Sequence, residues 1–274
     1  MLEQLIYKNH LNEVFNFGLN GIYVNCSELH DYEWKVEKRN EKIASFGYGV
    51  TKRKLPVIIM CATEEEGIAA RNNLFEIVEK DVLAQQYGRI ILNGYYFKCF
   101  VTKSAKKKYL TSKRQMEITL TLTTDYPYWV KENSIVFRQH APSGTSSGFD
   151  YEHDYPHDFF ANMQKQSVFN AHFMPSNFRL IIHGSCVDPS ISIAGHIYRV
   201  DCNVQSGEYL TIDSTEKQIY LTGKTGAVTN LFASRNRDSY IFEKIPVGNN
   251  DVAWEGIDSF ELVLMEERSE PKWI

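Results

Sequence analysis

Short runs of alternating apolar and polar residues, separated by glycine-bearing turns, are the feature that most constrains the fold of this chain. In "RQMEITLTLTT" (114–124) the apolar residues fall on one face, as in a strand that covers a core. From about residue 145 similar runs recur at intervals of roughly ten residues, which is typical of an antiparallel sandwich. The sequence therefore predicts a mainly β protein of the α+β class. Two predicted strands have these inward residues: Tyr95, Phe97, Cys99 and Val101, then Met116, Ile118, Leu120 and Leu122.

One segment, 63–88, has the periodicity of a helix instead. Thr63 is predicted to be its N-cap with Glu66 at the capping-box position, and Gly88 is predicted to end it. Acidic residues fill the first turn, where the helix dipole favours them. One packed face implies a sheet for this helix to cover. Its predicted inward stripe consists of Ile68, Phe75, Val78 and Val82, with Ala70, Leu74 and Ile77 beside it.

The chain is predicted to form two domains, 1–132 and 133–274, with a linker at about 133–148. Pro, Gly, Ser and Thr concentrate in "APSGTSSG" (141–148), as they do in a connector. Residues 1–132 carry 19 Lys and Arg against 16 Asp and Glu, whereas residues 133–274 carry 11 against 18. Neither part is basic enough to indicate nucleic-acid binding by itself. The asymmetry indicates two domains with different neighbours.

Two charged segments of the first domain are predicted to be exposed. The segment 33–54, "EWKVEKRNEKIASFGYGVTKRK", fits a long loop or an exposed arm. The segment 102–113, "TKSAKKKYLTSK", joins the two predicted strands and is strongly basic. It could be a nucleic-acid patch, a solvated hairpin tip or an arm that meets an acidic protein surface. The last two are favoured, because no aromatic platform for base stacking accompanies the lysines.

The stretch "HGSC" (183–186) places His183, Ser185 and Cys186 around one glycine, as beside a catalytic centre. A serine nucleophile usually stands on a G-x-S-x-G elbow that leads into a helix, and this stretch leads into a strand. A cysteine nucleophile needs a histidine partner and an orienting group. His183 and His196 are available, but both lie on short alternating strands. A turn between two strands is therefore the favoured interpretation, and no catalytic residue is predicted.

Metal and cofactor motifs do not stand out in the sequence. The densest set of potential ligands lies in "YEHDYPHDFF" (151–160), where Pro156 separates His153 from His157 and opposes a continuous helix. A polar surface loop is the favoured interpretation. The sequence contains no P-loop, dinucleotide fingerprint, H-E-x-x-H or EF-hand motif. Neither a metal nor a cofactor is therefore predicted.

The cysteines and the apolar runs indicate the compartment in which the chain is made. Five cysteines are scattered along the chain without the spacing of a zinc knuckle, which favours reduced thiols in a cytosol. The longest apolar run, "LPVIIMCA" (55–62), is far shorter than the roughly 20 residues of a membrane span. The first residues lack the basic and apolar regions of a secretory signal. No membrane association is expected.

The order and spacing of these turns and strands resemble the distal tail protein (Dit) family of long-tailed phages. The first domain carries the resemblance in "FNFGLNGIYV" (15–24), "GYG" (47–49) and "DYPYW" (125–129). The second domain opens with "FDYEHDYPHDF" (149–159) and continues with "IIHGSCVDPSISIAGHIY" (181–198). Its later segments are "GEYLTID" (207–213), "KQIYLTG" (217–223), "TNLF" (229–232), "IPVGNNDV" (245–252) and "FELVLMEERSEPKW" (260–273).

The resemblance implies a structural adaptor without catalysis. It implies an N-terminal belt domain that assembles into a hexameric ring and a C-terminal galectin-like β-sandwich outside the ring. The ring would join the tail tube to the tail-tip hub in the virion, after synthesis in the host bacterial cytoplasm. Its implied partners are five further copies, the major tail tube protein, the tape-measure protein, the tail-associated lysin of the hub and a receptor-binding protein. No nucleic acid is expected among them.

Contacts for this assembly are expected on the helix 63–87, the arm at about 35–54 and the basic hairpin 102–114. The candidate contact residues are Lys103, Lys106, Lys107, Lys108, Phe75 and Tyr48. An alternative is a carbohydrate-binding β-sandwich module that recognises cell-wall glycans. Trp254 is its candidate for stacking on a sugar, although a packed or rim tryptophan is the favoured interpretation of this residue. A third hypothesis is a hydrolase that uses Ser185 or Cys186.

Overall fold

The computed structural model describes residues 5–109, 113–139 and 164–273, without the side chains of 107–109 and 164–165. The chain folds into two compact units. The chain up to Lys131 and the segment that starts at Glu267 form the first unit, and Glu132–Glu266 form the second. The segment from Glu267 onward, which was assigned by sequence to the second domain, thus belongs to the first unit.

Among its described residues, the first unit has nine strands that lie wholly within it, one α-helix and a short 3-10 turn at Ser27–Leu29. The helix α1 spans Glu64–Ala84. Within the described residues, no helix has the length and apolar character needed to cross a membrane. The strands are β1 (Ile6–Lys8), β2 (Val14–Asn16), β3 (Ile22–Val24), β4 (Lys35–Arg39), β5 (Lys42–Gly47), β6 (Thr51–Met60), β7 (Gly88–Leu92), β8 (Tyr95–Tyr109) and β9 (Gln115–Thr124).

Seven of these strands form an antiparallel sheet in the order β3-β6-β9-β8-β7-β1-β2. The strand β8 is its longest member: its first part pairs with β7 and its second part with β9. The inward residues predicted for β8 and β9 are all buried, because period-2 alternation puts them on one face. The strands β4 and β5 pair only with each other within the described residues.

The helix α1 begins as predicted and ends differently. Thr63 and Glu66 form a complete capping box at its first turn. Its C-cap is Gln85, which adopts a left-handed conformation with φ 53°. Gly88, predicted to end the helix, is the first residue of β7. A Cβ at Gly88 would lie 2.2 Å from both the Asp81 Oδ2 and the Tyr7 hydroxyl, so close packing requires this glycine.

The face that α1 buries is rotated relative to the predicted stripe. Leu74, Ile77 and Val78 are buried, whereas Ile68 and Val82 are exposed. The sequence pattern was ambiguous because apolar residues occur around more than half of the helix. The buried polar residue Asp81 completes the inner face.

The Asp81 carboxylate joins α1 to the β1 region of the sheet. Its Oδ2 accepts a hydrogen bond from the Tyr7 hydroxyl at 2.5 Å. Its Oδ1 accepts the backbone N–H of His10 at 2.9 Å and lies 2.5 Å from His10 Nδ1. Burial, followed by Cys99 and by the hydrogen bond to Asp81, raises the pKa of the Tyr7 phenol. The phenol therefore stays a proton donor to a buried acceptor.

The second unit is an antiparallel β-sandwich. Its strands are β10 (Trp129–Arg138), β11 (Gln164–Asn170), β12 (Asn177–His183), β13 (Cys186–Val187), β14 (Ser190–Ile193), β15 (His196–Arg199), β16 (Asn203–Val204), β17 (Tyr209–Asp213), β18 (Gln218–Thr222), β19 (Val228–Asn230), β20 (Gly248–Glu255) and β21 (Ser259–Arg268). One sheet has the order β19-β18-β17-β12-β21-β10 and the other β11-β20-β14-β15, with β13 and β16 as a separate pair. A 3-10 turn lies at Phe232–Ser234, after β19. Both β10 and β21 contain residues of both units.

The core of the sandwich is filled from both sheets. Phe178, Leu180 and Ile182 of β12 alternate inward from one sheet, and residues of β14 and β20 come from the other. Residues 133–138, expected in the linker, continue β10, and "APSGTSSG" (141–148) lies outside the described residues. The described chain is mainly β with one α-helix, so the predicted fold class is confirmed.

Replacing Asp81 by Ala is expected to lower the free energy of unfolding by about 3 kcal/mol, because the Tyr7 hydroxyl and the His10 N–H would lose their buried acceptor. Urea-induced unfolding measures the change. Glu79→Ala on the exposed face of the same helix is the control and is expected to have little effect. Equal stability of the two variants would contradict the structural role of Asp81.

Candidate functional site

The hairpin β4–β5 is the exposed arm that the sequence predicts within 33–54. All but one of its strand residues are exposed, and the exception is Gly47. Its turn uses Asn40 and Glu41, both left-handed with φ 51° and 61°. Two such residues are the signature of the tight turn that matches the twist of a hairpin. The arm is therefore a two-stranded ribbon whose side chains are open to solvent.

One face of the arm is apolar. Val36 pairs with Phe46 across the ribbon, and Ile43 pairs with Lys38 on the same side after a register shift. Val36, Ile43 and Phe46 have exposures of 45%, 60% and 59%. A two-stranded ribbon is marginal in water by itself, and a stripe of exposed apolar residues marks an interaction surface. We name these three residues the arm stripe.

Tyr48 lies at the base of the arm and holds it to the first unit. Its ring packs on Trp34 at 4.3 Å between centroids and contacts Tyr128 edge-on at 5.1 Å. Its hydroxyl lies 2.6 Å from the Ser269 Oγ. Burial raises the pKa of this phenol. Tyr48, predicted as an assembly contact, is thus half-buried against Trp34, Tyr128 and Ser269 of the first unit.

The segment from Glu267 onward is held to the first unit by several side chains. The buried Arg53 donates to the carbonyl of Leu29, donates to that of Ser269 at 3.3 Å and lies over the Phe97 ring. Burial lowers the pKa of this guanidinium to about 10. The Tyr126 hydroxyl donates to the Glu267 carboxylate. The end of the chain therefore contributes to the surface from which the arm starts.

A groove of about 1000 Å³ opens between β2, β3 and α1. The two strands are the ends of the seven-stranded sheet, and each pairs with one neighbour among the described strands. The exposed apolar residues of the groove are Val14, Leu19, Tyr23 and Met60. Glu66 from the acidic first turn of α1 also lines it. Free strand edges beside apolar side chains are suited to receive another chain.

The basic residues of β8 are only partly described. Lys103 and Lys106 are exposed, and the side chains of Lys107 and Lys108 lie outside the description. Lys106 Nζ lies 4.7 Å from the ring centroid of Phe75 on α1. Phe75 is half-buried against the core. The structure thus brings two of the predicted contact residues, Lys106 and Phe75, together as a cation–π pair.

The "HGSC" stretch is a connection between strands. His183 ends β12 and Cys186 begins β13. A Cβ at Gly184 would lie 2.1 Å from the carbonyl oxygen of Gln205, so the chain passes close to its neighbour. Burial raises the pKa of the Cys186 thiol, which is opposite to the activation that a cysteine nucleophile needs. His196 lies on β15 of the opposite sheet.

The predicted sugar contact, Trp254, is a core residue. Its exposure is 1%, its indole N–H donates to the carbonyl of Ile257, and its ring packs edge-on against Phe137 and Phe260. It lies on the inner face of β20, so it is not accessible to a sugar. The possible ligands in 151–160 lie outside the described residues, and among the residues that are described no group of three metal-ligating side chains occurs.

Residues that sequence reasoning missed are those of the arm stripe and of the anchored C-terminal segment. The alternation in "KVEKRNEKIASF" (35–46) and its Asn-Glu turn could have indicated the ribbon, but its many charges favoured a loop. The contacts of Ser269 and Glu267 join residues more than 100 positions apart. No local pattern indicates such pairs.

Replacing Tyr48 by Ala is expected to loosen the arm, because the contacts with Trp34, Tyr128 and Ser269 disappear together. Hydrogen exchange is expected to become faster in residues 35–47 and to stay unchanged in α1. Tyr23→Ala, which removes an exposed ring from β3, is the control. Unchanged exchange in the arm of the Tyr48 variant would contradict this anchoring role.

Solved phage tail structures share this fold, although no protein-family model and no curated protein matches the chain. A chain of the phage P2 baseplate in its activated conformation with Ca superposes with a TM-score of 0.63 at 11% identity, over 99% of this chain and 100% of that chain. The corresponding structure with Sr gives a TM-score of 0.62 at 11% identity, over the same shares of the two chains.

The Dit protein of phage SPP1, described as a paradigm of the hub adsorption apparatus in phages that infect Gram-positive bacteria, also matches. Its TM-score is 0.58 at 9% identity, over 98% of this chain and 100% of that chain. At these identities the likeness is one of fold. The resemblance to the Dit family is confirmed at that level, and the chain has the fold of the SPP1 Dit protein and of these phage P2 baseplate chains.

Proposed function

We propose that this protein is a structural component of a phage tail tip, namely a subunit of a hexameric distal-tail ring. The observation that carries the proposal is the fold that this chain shares with a phage P2 baseplate chain and with SPP1 Dit. In each comparison the likeness extends over nearly the full length of the two chains. A match of two complete chains supports a common architecture better than a match of one sandwich would. The ring would join the tail tube to the tail-tip hub and the baseplate.

The arm supports assembly from several copies. Its arm stripe is exposed in the single subunit and needs a cover. The groove between β2, β3 and α1 offers apolar side chains of a similar kind. The arm carries four basic and two acidic residues between 35 and 42, and the groove adjoins the three glutamates that open α1. We therefore assign the groove of a neighbouring copy as the receiver of the arm.

The remaining contacts follow from the role of an adaptor. The mildly basic first part and the acidic second part suit different neighbours. The proposed partners are the major tail tube protein, the tape-measure protein, the tail-associated lysin of the hub and a receptor-binding protein. Lys103 and Lys106, exposed on β8, are available for such contacts. The protein would be made in the host bacterial cytoplasm, would reside in the virion and would have no catalytic role.

The alternative of a carbohydrate-binding module loses its candidate residue. It was based on the sandwich pattern and on Trp254, and this indole is buried in the core with its N–H satisfied. Trp254→Ala would therefore report on stability and not on sugar binding.

The ring is tested by measuring the mass of the purified protein with light scattering and by imaging it with negative stain. We expect a species near six subunits with a central opening. Ile43→Glu combined with Phe46→Glu is expected to shift it to monomers, because two charges would be buried at the proposed contact. Both residues are exposed in the subunit, so its unfolding midpoint should not change.

Val187→Glu in the second unit is the matched control, since Val187 is an apolar strand residue with 71% exposure. It is expected to leave the hexamer intact. A native protein that remains monomeric at high concentration would contradict the ring. A hexamer that survives both arm substitutions would contradict the assigned contact while leaving the ring in place.

A further inference from the structure

A cavity in the second unit, of about 610 Å³, is used by none of the contacts described so far. It lies between the turn that joins β17 to β18 and the loop that follows the 3-10 turn. Its volume is within the range of small-molecule sites. The side chains that matter for its chemistry are Lys217, Phe232, Arg235, Arg237, Asp238 and Tyr240.

Aromatic rings support two of the cations in this cavity. Lys217 Nζ lies 5.4 Å from the ring centroid of Tyr240 and 5.3 Å from that of Phe242. The Arg235 guanidinium lies 4.0 Å over the Phe232 ring and donates to the Phe232 carbonyl at 2.6 Å. Such rings attract a cation without neutralising its charge. The Lys217 ammonium and the Arg235 guanidinium are therefore held in position while they keep their positive charge.

The three cations that line the cavity are Lys217, Arg235 and Arg237. None of them forms an ion pair with a carboxylate among the described residues. By contrast, Arg179 and Arg199 of the same unit form ion pairs with Asp213 and Asp201. Asp238 is the one carboxylate among the described lining residues, and its Oδ2 lies 3.5 Å from the Asn236 amide nitrogen. The cavity thus has an excess of positive charge.

This excess stands out because the surrounding part of the chain is acidic. Residues 133–274 carry 11 Lys and Arg against 18 Asp and Glu. In such a chain, cations that served only to stabilise the fold could readily be paired with a carboxylate. A group of unpaired cations around a concave surface is instead suited to an anion that comes from outside.

The loop is held in its position before any ligand binds. The backbone N–H of Asn236 donates to the Arg199 carbonyl at 3.1 Å, and the Ser239 hydroxyl donates to the Ile197 carbonyl at 2.6 Å. The Tyr240 carbonyl lies 2.9 Å from His196 Nε2. These three contacts fix the loop to β15. A preorganised site loses less conformational entropy on binding than a mobile one does.

We propose that this cavity binds a phosphate group, carried by a small molecule or by a phosphodiester-linked polymer. A guanidinium presents a planar fork of donors that matches phosphate oxygens, and an ammonium adds a point charge. A ligand with a single carboxylate would neutralise only one of the three cations, whereas a phosphate monoester or a chain of phosphodiesters carries more negative charge. The exposed ring of Tyr240, at 55%, provides an apolar surface for the carbon part of the ligand.

The proposal is tested by isothermal titration of the full chain with three probes: inorganic phosphate, glycerol 3-phosphate and a phosphodiester-linked trimer of glycerol phosphate. We expect saturable binding of at least one probe, weakened by added salt. Lys217→Ala with Arg237→Ala is expected to reduce the affinity roughly tenfold or more, since charge-assisted hydrogen bonds are lost. Arg199→Ala, which removes an ion-paired arginine nearby, should leave it unchanged.

The probes also separate the possible sources of phosphate. Equal affinities for inorganic phosphate and the trimer would assign the site to a free phosphate ion, and tighter binding of the trimer would assign it to a repeating polymer. Binding of none of the probes, an equal loss in Arg199→Ala, or tighter binding of an aspartate-rich peptide would overturn the proposal. If the double variant fails to fold, Arg237→Glu serves in its place, because this side chain is exposed. None of these outcomes depends on the ring.

Discussion

The first unit depends on the inward face of β8. Its residues Tyr95, Phe97 and Cys99 are buried, and the strand is bonded to β7 at one end and to β9 along the other. The helix α1 covers the same core, with the Asp81 carboxylate held between the Tyr7 hydroxyl and His10. The sheet and the helix of the first unit therefore share one core, to which β8 contributes from its inward face.

Local patterns were sufficient to predict the helix and the strands with the clearest alternation. Period-2 alternation identified β8 and β9. The capping box located the first turn of α1. These signals succeed because each depends on residues within a few positions of one another. The order of such elements along the chain also carried the resemblance that the fold comparison confirms.

Long-range contacts account for what the sequence did not reveal. The end of α1 is set by Gln85, while Gly88 is required by the side chains of Asp81 and Tyr7 from two other elements. Trp254 was the candidate for stacking on a sugar, and only the pairing of β20 with its neighbours shows that the indole lies on the inner face. The exposure of the arm stripe, and that of the cavity lined by Lys217, Arg235 and Arg237, depends on which face of a ribbon or loop remains uncovered. Composition alone does not determine that choice.

The return of the chain to the first unit at Glu267 has an evolutionary consequence. Because Glu132–Glu266 is one continuous stretch, the sandwich is an insertion within the sequence of the first unit. Recombination on both sides of this stretch would exchange the second unit and keep Arg53, Tyr48 and Ser269 together. Loss of the segment from Glu267 onward, in contrast, would remove partners of Tyr48, Arg53 and Tyr126 in the first unit. The two units can therefore diversify at different rates while remaining parts of one polypeptide.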